Sequence, residues 1–543
     1  MSALQHVAVI AAYTVYPLVV FRSIDTPTDV IAGLLSTGFL VLGAGTFLQA
    51  WSRVGSGYLC PTTFTATFIG PSLSAIKLGG LPLLFGMTFC SGVLQCALSG
   101  MLNRLRPYLP TELSGFVVLM VGITAGVAGM RYMLGTASGP PVTATEWLIA
   151  MLTLSLMAGL NVWGTGMLRM LCALIGLVGG YVAAVVSGLV PEQGLAILRA
   201  APLVALPDIA PTGWSFDAAL VIPFIIAGLA TTLKAIGTVT LCQRINDAEW
   251  VRPDMISNRR GVLADGIAIA AAGALGSVGV NTSSANVALV SATGVASRRI
   301  AYVVAAMFVG LGLFPKLATV LAVMPRPVMA AALLFATCFL LINGMQIITS
   351  RMLDTRRTLV IGLAVVAGLA VEVFPSVFHG TPRFLEPLVG SSLVFGTLVA
   401  LALNLLFRIG VRKTVRLEVE RSTTPTEIED FFRRQGGAWG ARPDVVERAI
   451  FGTLQLVETV RESCDPRGPF AVEASFDEFN LDVRVVYDGK LLQFPERRPS
   501  NEDIRNTEDG MRRLAGFMMR RNADRIASTT TSGRSTVLFH FDH

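Results

Sequence analysis

Residues 225–242 read IIAGLATTLKAIGTVTLC, and this stretch decides the fold class of the chain. Seventeen of its eighteen residues are apolar, small or hydroxylic, and the remaining one is Lys234. A helix that spans a membrane needs roughly 20 mostly apolar residues. The stretch therefore predicts a transmembrane helix that carries one ammonium group at membrane depth.

The composition extends this prediction to most of the chain. Its 543 residues are 53% hydrophobic and 15% charged, whereas a soluble protein carries about 25% charged residues. Residues 1–407 hold 21 Lys and Arg against 14 Asp and Glu, and residues 408–543 hold 22 of each. The net charge of +7 thus belongs to the apolar part, where basic residues mark cytoplasmic membrane edges. The composition therefore predicts the lipid bilayer as a partner of the chain and no nucleic acid.

Twelve segments in this part have the length and apolarity of spanning helices. They lie at about 4–21, 30–50, 80–101, 113–134, 145–163, 169–190, 217–241, 261–279, 299–322, 327–349, 357–375 and 388–407. Two shorter segments, 58–76 and 278–296, are rich in Ser and Thr and broken by Gly or Pro. Counting both predicts 14 crossings, of which these are the third and the tenth. Seven spans per half put the halves in opposite orientations, which is a 7+7 inverted repeat.

The loop charges predict the orientation. With a cytoplasmic N-terminus, inner loops hold 13 Lys and Arg and outer loops hold 7. This bias predicts a multi-pass inner-membrane protein with both termini in the cytoplasm.

The two broken segments predict the binding site. Interrupted spans at matching places in two halves are typical of a transporter's substrate site. The N-terminus of a half-helix offers free N–H groups and a partial positive charge to an electron-rich or anionic solute. Thr62, Thr63, Ser284 and Asn286 flank these helix starts and are predicted to line the site. Helix capping is the alternative role for such residues.

Several stretches carry a resemblance to a known family. They are LQHVAVIAAYTVYP (4–17), GAGTFLQ (43–49), GSGYLCPTTFT (55–65), RRGVLADGIAIAAAGALGS (259–277), NVALVSATGVASRR (286–299) and GLGLFPKLATVLAVMPRPVMAAALL (310–334). In this order they resemble the nucleobase–ascorbate transporters, the xanthine and uracil permeases. The resemblance covers residues 4 to about 407. It implies a core domain of spans 1–4 and 8–11, a gate domain of spans 5–7 and 12–14, and a homodimer.

The sequence departs from this family where the substrate is expected to bind, and Ala288 also replaces the Gly of the tenth-span signature. In the eighth span the family commonly has a carboxylate three residues before a glycine; with Gly237 as that glycine, the position is Lys234. In the tenth span a Glu or Gln precedes the Asn; with Asn286 as that Asn, the position is Ala285. The resemblance thus places Lys234, Gly237, Ala285 and Asn286 at the substrate, with changed chemistry at two of them.

Two further side chains are structural or coupling candidates. His6 matches the family's Gln-His pair, and either a structural hydrogen bond or a functional role fits it. Asp265 is expected to form a structural ion pair with Arg259 and Arg260.

Lys234 itself allows more than one interpretation. A lysine near a helix end can extend its amine to the membrane surface. However, Arg244 at the predicted cytoplasmic edge is ten residues away, roughly 15 Å at helical rise, and ionisable groups this deep are functional by default. Lys234 is predicted either to bind an anionic substrate or to replace a coupling cation.

The charged C-terminal part predicts a separate domain. Residues 408–424 are predicted to be a linker, and residues 425–543 a cytoplasmic α+β domain with helices near 425–435, 441–463 and 508–524 and strands near 469–476, 480–487 and 535–541. VVERAIFGTLQLVETV (445–460) and DGKLLQF (488–494) resemble the nucleotide helix and Asp-x-Gly box of anti-sigma-factor kinases. The helix lacks the Asn that would hold magnesium, so lost nucleotide binding is expected. A regulatory or dimerising cap with a cytoplasmic partner is the alternative.

Together these features predict an all-α polytopic membrane domain, residues 1–407, followed by the soluble domain. The predicted function is secondary transport of nucleobases such as xanthine, urate or uracil. The alternatives are an anion transporter or exchanger on the same fold, and a membrane solute sensor that signals through the C-terminal domain. The seven cysteines show no CxxC spacing. No enzyme activity, metal or cofactor is expected.

Overall fold

The chain divides into two compact units, Met1–Asn404 and Leu405–His543. The computed structural model describes residues 2–24, 26–105, 111–135, 142–190, 192–208, 212–248, 250, 253–349, 353, 355–378, 381–382, 386–407, 413–420, 422–463, 470–477, 480–489, 491–500, 504, 510–531 and 534–542.

The first unit is built of helices and two three-residue strands. Its first half contains α1 (Ser2–Ala11), α2 (Val15–Phe21), α3 (Thr28–Ala50), β1 (Thr62–Phe64), α4 (Ile69–Leu105), α5 (Thr111–Leu134), α6 (Ala144–Trp163), α7 (Met167–Met170), α8 (Cys172–Val186) and α9 (Glu192–Ala200). Its second half contains α10 (Val221–Asn246), α11 (Met255–Leu275), β2 (Val280–Thr282), α12 (Ser284–Thr293), α13 (Arg298–Leu313), α14 (Pro315–Ala322), α15 (Arg326–Ile348), α16 (Thr355–Val373), α17 (Glu386–Val389) and α18 (Ser392–Phe407). The predicted helical membrane fold is confirmed at this level.

Within the described residues, seven helical segments are long and apolar enough to cross a membrane. The number rises to eight if α13 and α14, which meet at an angle of 79°, form one bent span. The helices α8 and α18 are apolar but shorter. The predicted count of 14 spans therefore stays a prediction.

A glycine pair breaks α4 between the predicted third and fourth spans. Gly79 and Gly80 leave helical geometry, and Gly80 has φ 70°, a region that a residue without Cβ enters at little cost. Residues 69–78 are thus a separate half-helix that continues the segment after β1.

Three helix pairs pack closely in the first unit: α5 with α15, α4 with α11, and α3 with α13. Glycines permit the approach. A Cβ on Gly92 of α4 would lie 2.2 Å from the backbone nitrogen of Ala270 in α11. Small residues serve this purpose in membrane proteins, where backbone proximity replaces a hydrophobic driving force.

The second unit is an α+β structure. Its strands are β3 (Lys413–Val419), β4 (Phe470–Phe476), β5 (Asn480–Asp488), β6 (Arg525–Thr531) and β7 (Arg534–Asp542), and its helices are α19 (Pro425–Trp439), α20 (Pro443–Ser463) and α21 (Gly510–Asn522). The antiparallel sheet has the order β3-β4-β5-β7-β6.

The core of this unit lies between the sheet and α20, which contacts β5, β7 and the other two helices. In β5 and β7 alternate residues are buried, as expected when one face of a sheet is covered. Residues 413–419, predicted to belong to the linker, form the edge strand β3.

Candidate functional site

The two broken segments meet as a short antiparallel sheet. Thr63 of β1 lies opposite Asn281 of β2, and all six residues of the two strands are buried. The pairing continues beyond the strands, because Ser283 donates its N–H to the carbonyl of Pro61 at 2.9 Å. Non-helical backbone at membrane depth must be satisfied by protein or by water, and here each segment satisfies the other.

Each strand leads into a half-helix. Ser283 caps α12 by accepting a hydrogen bond from the N–H of Asn286 at 3.3 Å. After β1, Thr65 accepts one from the N–H of Thr67 at 3.4 Å, ahead of α4. The predicted half-helix starts are therefore present on both sides of the strand pair.

Asp265 ties three elements together beside the strands. Its fully buried carboxylate accepts hydrogen bonds from Gln49 Nε2 and Asn281 Nδ2, both at 2.9 Å, and from the N–H and hydroxyl of Thr282, both at 3.2 Å. These donors join α3, α11 and β2. The carboxylate is held by neutral donors at the centre of the membrane unit.

The predicted ion pair of Asp265 with Arg259 and Arg260 is wrong. Arg260 donates instead to the carbonyl of Ser52 at 2.9 Å, and Arg259 is exposed. The reason is helical spacing: residues five and six positions apart point to different faces of a helix.

His6 and Asn286 form a second buried group. Their Nδ1 and Oδ1 atoms lie 2.8 Å apart, and Asn286 Nδ2 donates to Ser283 Oγ at 2.9 Å. Both residues are buried, with 1% and 0% exposure. Of the two roles predicted for His6, the structure contains the hydrogen bond. Asn286 uses its carbonyl oxygen and one N–H in these two bonds, and its contact with substrate stays a prediction.

Lys234 is the cation of this region. It lies in the unbroken helix α10 and is half-buried. Its charge acts on Asp265 and on Cys60. Across the described part of the chain, no residue hydrogen-bonds its ammonium group or approaches it as a salt-bridge partner. Lys234 therefore interacts electrostatically with the carboxylate of Asp265 but has no salt-bridge partner among the described residues.

Open space adjoins Gly237, which lies one helical turn from Lys234 on α10. Gly237 is exposed, and a Cβ built there meets no atom within 4 Å. Ser284 and Ala285 on α12 are half-buried. A hydrogen bond of 3.0 Å between the hydroxyls of Thr238 and Ser284 joins α10 to α12 at this level. Four predicted site residues, Lys234, Gly237, Ser284 and Ala285, thus lie on two helices that this hydrogen bond joins.

Two further predicted site residues lie on β1. Thr62 and Thr63 are buried, and neither hydroxyl has a partner among the described residues. The same holds for Gln49 Oε1 and Asn281 Oδ1. Buried polar groups normally find hydrogen-bond partners, so four groups around the strand pair can still bind water or a polar solute.

Gln49, Asn281 and Thr238 belong to this network, and none of them was a predicted site residue. Gln49 closes the stretch GAGTFLQ, and Asn281 directly precedes the Thr-Ser-Ser run of the tenth segment. A polar amide in each of these apolar stretches was the available signal. As for metals, the described residues contain no group of three or more His, Cys, Asp or Glu that could hold an ion.

The chain is similar to known permeases. Residues 1–377 match the permease family named for xanthine and uracil permeases. The xanthine permease XanQ of Escherichia coli (strain K12) is 29% identical over 432 residues, which cover 76% of this chain and 91% of XanQ. The nucleobase transporter PlUacP of Paenibacillus larvae is 26% identical over 416 residues, covering 75% and 94%.

Among solved structures, the murine Slc26a9 anion transporter in its inward-facing state is 13% identical with a TM-score of 0.49. The match covers 77% of this chain and 71% of that one. A likeness at this level does not bear on the substrate. The family match confirms the resemblance found in the sequence, and the chain belongs to the permease family of the xanthine and uracil permeases, which makes it a transporter rather than an enzyme.

Proposed function

We propose that this protein is a secondary transporter of nucleobases such as xanthine, urate or uracil. The substrate binds beside Lys234, between the segments that contain β1 and β2. The observation that carries this proposal is Lys234: a cation without a salt-bridge partner among the described residues, one helical turn from the exposed Gly237, in a member of this permease family. The names of the relatives, xanthine permease and nucleobase transporter, supply the substrate class.

The packing supports an inverted repeat of seven plus seven spans. In the predicted span order, α4 and α11 supply spans 4 and 9, and α3 and α13 supply spans 2 and 11. In a seven-plus-seven repeat span 4 is equivalent to span 11 and span 2 to span 9, so exchanging the two halves turns one pair into the other. The pairs α5–α15 and β1–β2, which belong to spans 5 and 12 and to spans 3 and 10, map onto themselves. A two-fold relation between the halves accounts for all four pairings.

The charges near the site suggest how transport is coupled. The family resemblance implies a carboxylate at the position where this chain has Lys234. Here Lys234 and Asp265 together have no net charge, so a neutral solute can bind without a coupling cation. An anionic solute can instead pair directly with the ammonium group. A second carboxylate at position 234 would need a proton or a sodium ion to balance its charge. Neither arrangement with Lys234 needs such a cation.

Uptake by proteoliposomes tests the substrate class. Purified full-length protein is reconstituted, and radiolabelled xanthine, urate and uracil are supplied outside, with an inorganic anion such as sulfate in a parallel series. We expect saturable uptake of at least one base. Transport of sulfate with none of the three bases would refute the nucleobase function.

The coupling is tested with Lys234→Glu, which restores the carboxylate of the family pattern. Base uptake by the wild type should be insensitive to an imposed proton gradient, whereas the variant should require it. A wild type that concentrates the base only along a proton gradient would refute uncoupled transport and leave the nucleobase function intact.

Lys234 also favours a second function, an anion transporter or exchanger on the same fold. A fixed cation at membrane depth is a direct way to bind a small anion. In that case Lys234→Ala should abolish anion exchange, and undiminished exchange by this variant would count against it.

The assembly proposed around this function follows the sequence predictions. The protein is a homodimer of the inner membrane with both termini in the cytoplasm, and spans 1–4 and 8–11 move as a core against a gate. Its C-terminal unit offers a surface for a cytoplasmic regulatory partner. Cross-linking in native membranes tests the dimer: monomers alone at every cross-linker concentration would contradict it.

A further inference from the structure

A large cavity lies in the first unit away from Lys234. Its volume is about 1280 Å³, and α4, α5, α15 and the loop that follows α2 contribute to its lining. We call it the vestibule. The loops around it are those that the charge bias predicts to be outer.

The vestibule has an excess of positive charge. Its described charged residues are Arg22, Lys77, Arg131, Arg326, Glu146 and Glu372. Both carboxylates already have partners: Glu372 binds Arg131 at 3.1 Å and the Ser392 hydroxyl at 3.0 Å, and Glu146 accepts from the N–H and hydroxyl of Thr143 at 2.9 and 3.1 Å. Lys77 and Arg326 have no ion-pair partner among the residues described, so the unbalanced charge is cationic.

Two of the cations lie at the same end of α15. The guanidinium of Arg22 donates to the carbonyl of Ala322 and to the sulfur of Met329, which lie on either side of Arg326 along the chain. Arg22 is half-buried and Arg326 is exposed. A nearby opposite charge favours the charged form of such groups, so this pair of cations favours a bound anion.

The protein backbone adds to this field. Arg326 is the first residue of α15, its N-cap Pro325 provides no side-chain cap, and the first turn holds no acidic residue. The N-terminus of a helix carries a partial positive charge that anions normally balance. At α15 a third source of positive potential therefore coincides with the two guanidinium groups.

The lining of the vestibule also contains hydroxyl groups that have no hydrogen-bond partner among the described residues. Ser391 lines the cavity beside Gly70, is 5% exposed, and its hydroxyl has no partner in the described structure. The hydroxyl of Thr26, another lining residue, is buried and equally unpartnered. A solute that enters past Arg326 can be bound by neutral hydroxyls as well as by cations.

We propose that the vestibule is a capture site for small organic anions, above all the anionic form of a purine base, and that Arg22 and Arg326 hold its charge. This inference rests on the proposed nucleobase function and makes it more specific. The site concentrates the anionic form of the substrate before it reaches Lys234. Its contribution should weaken as salt screens the exposed Arg326.

The test is calorimetric titration of the purified full-length protein with urate, an anion at neutral pH, and with uracil, which is neutral. Arg326→Gln should raise the Kd of urate roughly tenfold, the factor that corresponds to one charge-assisted hydrogen bond, and leave that of uracil unchanged. Arg326→Lys, which keeps the charge, should retain most of the affinity. Arg199→Gln is the matched control, because Arg199 is exposed on α9 and lies outside the vestibule.

Repeating the titration in Lys234→Gln distinguishes binding in the vestibule from binding at Lys234. Urate binding that survives Lys234→Gln and disappears on adding Arg326→Gln supports the vestibule. An unchanged urate Kd in Arg326→Gln, with both bases bound by the wild type, overturns the inference and leaves the proposed function standing. If the wild type binds neither base but binds sulfate through Arg326, the nucleobase function fails and the anion site stands. If the wild type binds neither base, sulfate binding that is unchanged in Arg326→Gln, or the absence of sulfate binding, overturns both the nucleobase function and the anion site.

Discussion

Asp265→Asn is the substitution that most directly tests the hydrogen-bond network around the strand pair. One carboxylate oxygen of Asp265 accepts from Gln49 alone, and the other accepts three hydrogen bonds, one from Asn281 and two from Thr282. An amide has only one acceptor oxygen. It keeps most bonds when that oxygen faces Asn281 and Thr282 and its NH₂ group faces Gln49.

Gln49 must then turn its own amide over. Its Oε1, which has no partner among the described residues, would accept from the new NH₂ group. Its Nε2 would lose both Asp265 and the carbonyl of Gly261, which it contacts at 2.8 Å. One buried carbonyl loses its donor, and three hydrogen bonds lose the help of a full charge. We expect Asp265→Asn to lower the free energy of unfolding by about 2–4 kcal/mol.

The assay is unfolding of the purified full-length protein in mixed micelles with increasing sodium dodecyl sulfate. Asp29→Asn serves as the control, because Asp29 is exposed in the first turn of α3, and surface changes of this kind stay within about 0.5 kcal/mol. A loss no larger in Asp265→Asn than in Asp29→Asn would refute the role of this carboxylate as the joint of α3, α11 and β2.

Three further predictions concern other parts of the chain. Gly92→Val forces α4 away from α11 and should cost about 1–3 kcal/mol in the same unfolding assay, whereas Gly100→Val on the same helix, where a Cβ meets nothing within 4 Å, should change little; equal losses would contradict the packing argument. Asn286→Ala removes the partner of His6 and should cost about 1–3 kcal/mol; a neutral result would mean that this hydrogen bond contributes nothing. In the C-terminal unit, hydrogen bonds to Asp482 and Asp542 raise the pKa of His540 from 6.5 to about 9. Because the folded pKa is the higher one, the stabilisation is complete below about pH 6.5 and is lost as the pH rises through about 9. Amide hydrogen exchange of β5 and β7 in the full-length protein, corrected for intrinsic rates, should accelerate over that range, and His540→Gln should abolish this pH dependence.

The helical part of the fold could be predicted because its signal is long and repeated. Uninterrupted apolar runs have few alternatives to a membrane helix. The two segments broken by Gly or Pro, 58–76 and 278–296, were correctly set apart from them. What the pattern could not provide was their contact. Pairing of β1 with β2 joins residues more than 200 positions apart in the sequence, and no local periodicity encodes such a register.

The sheet of the C-terminal unit shows the same limit. The three strands predicted there, β4, β5 and β7, occupy its centre, where burial of alternate residues leaves a clear pattern. The two strands that were missed, β3 and β6, are its edges. Edge strands carry more charged and polar residues; KTVRLEV was assigned to the linker, and RIASTTT was assigned to no element.

The sequence singled out individual residues of the candidate site but not the hydrogen-bond network that joins them. Lys234 stood out because a charge in an apolar run is rare. Gln49 and Asn281 did not, since a single amide in such a run is common and neutral. Asp265 was assigned to its nearest basic residues in the sequence, although the geometry of the helix turns its side chain towards α3 and β2. The position of a charged residue in an apolar run could thus be read from the sequence, whereas its hydrogen-bond partners could not be inferred from distance along the chain.

The central claim is that Lys234 acts on the transported solute, and urate uptake by Lys234→Gln tests it most directly. Initial rates are compared in proteoliposomes with matched amounts of inserted protein, with Lys316→Gln as the lysine control. Loss of one charge-assisted contact corresponds to roughly a tenfold effect or more. We therefore predict that kcat/KM for urate falls at least about tenfold in Lys234→Gln and stays at the wild-type value in Lys316→Gln. A value of kcat/KM in Lys234→Gln within about twofold of the wild type would contradict the account.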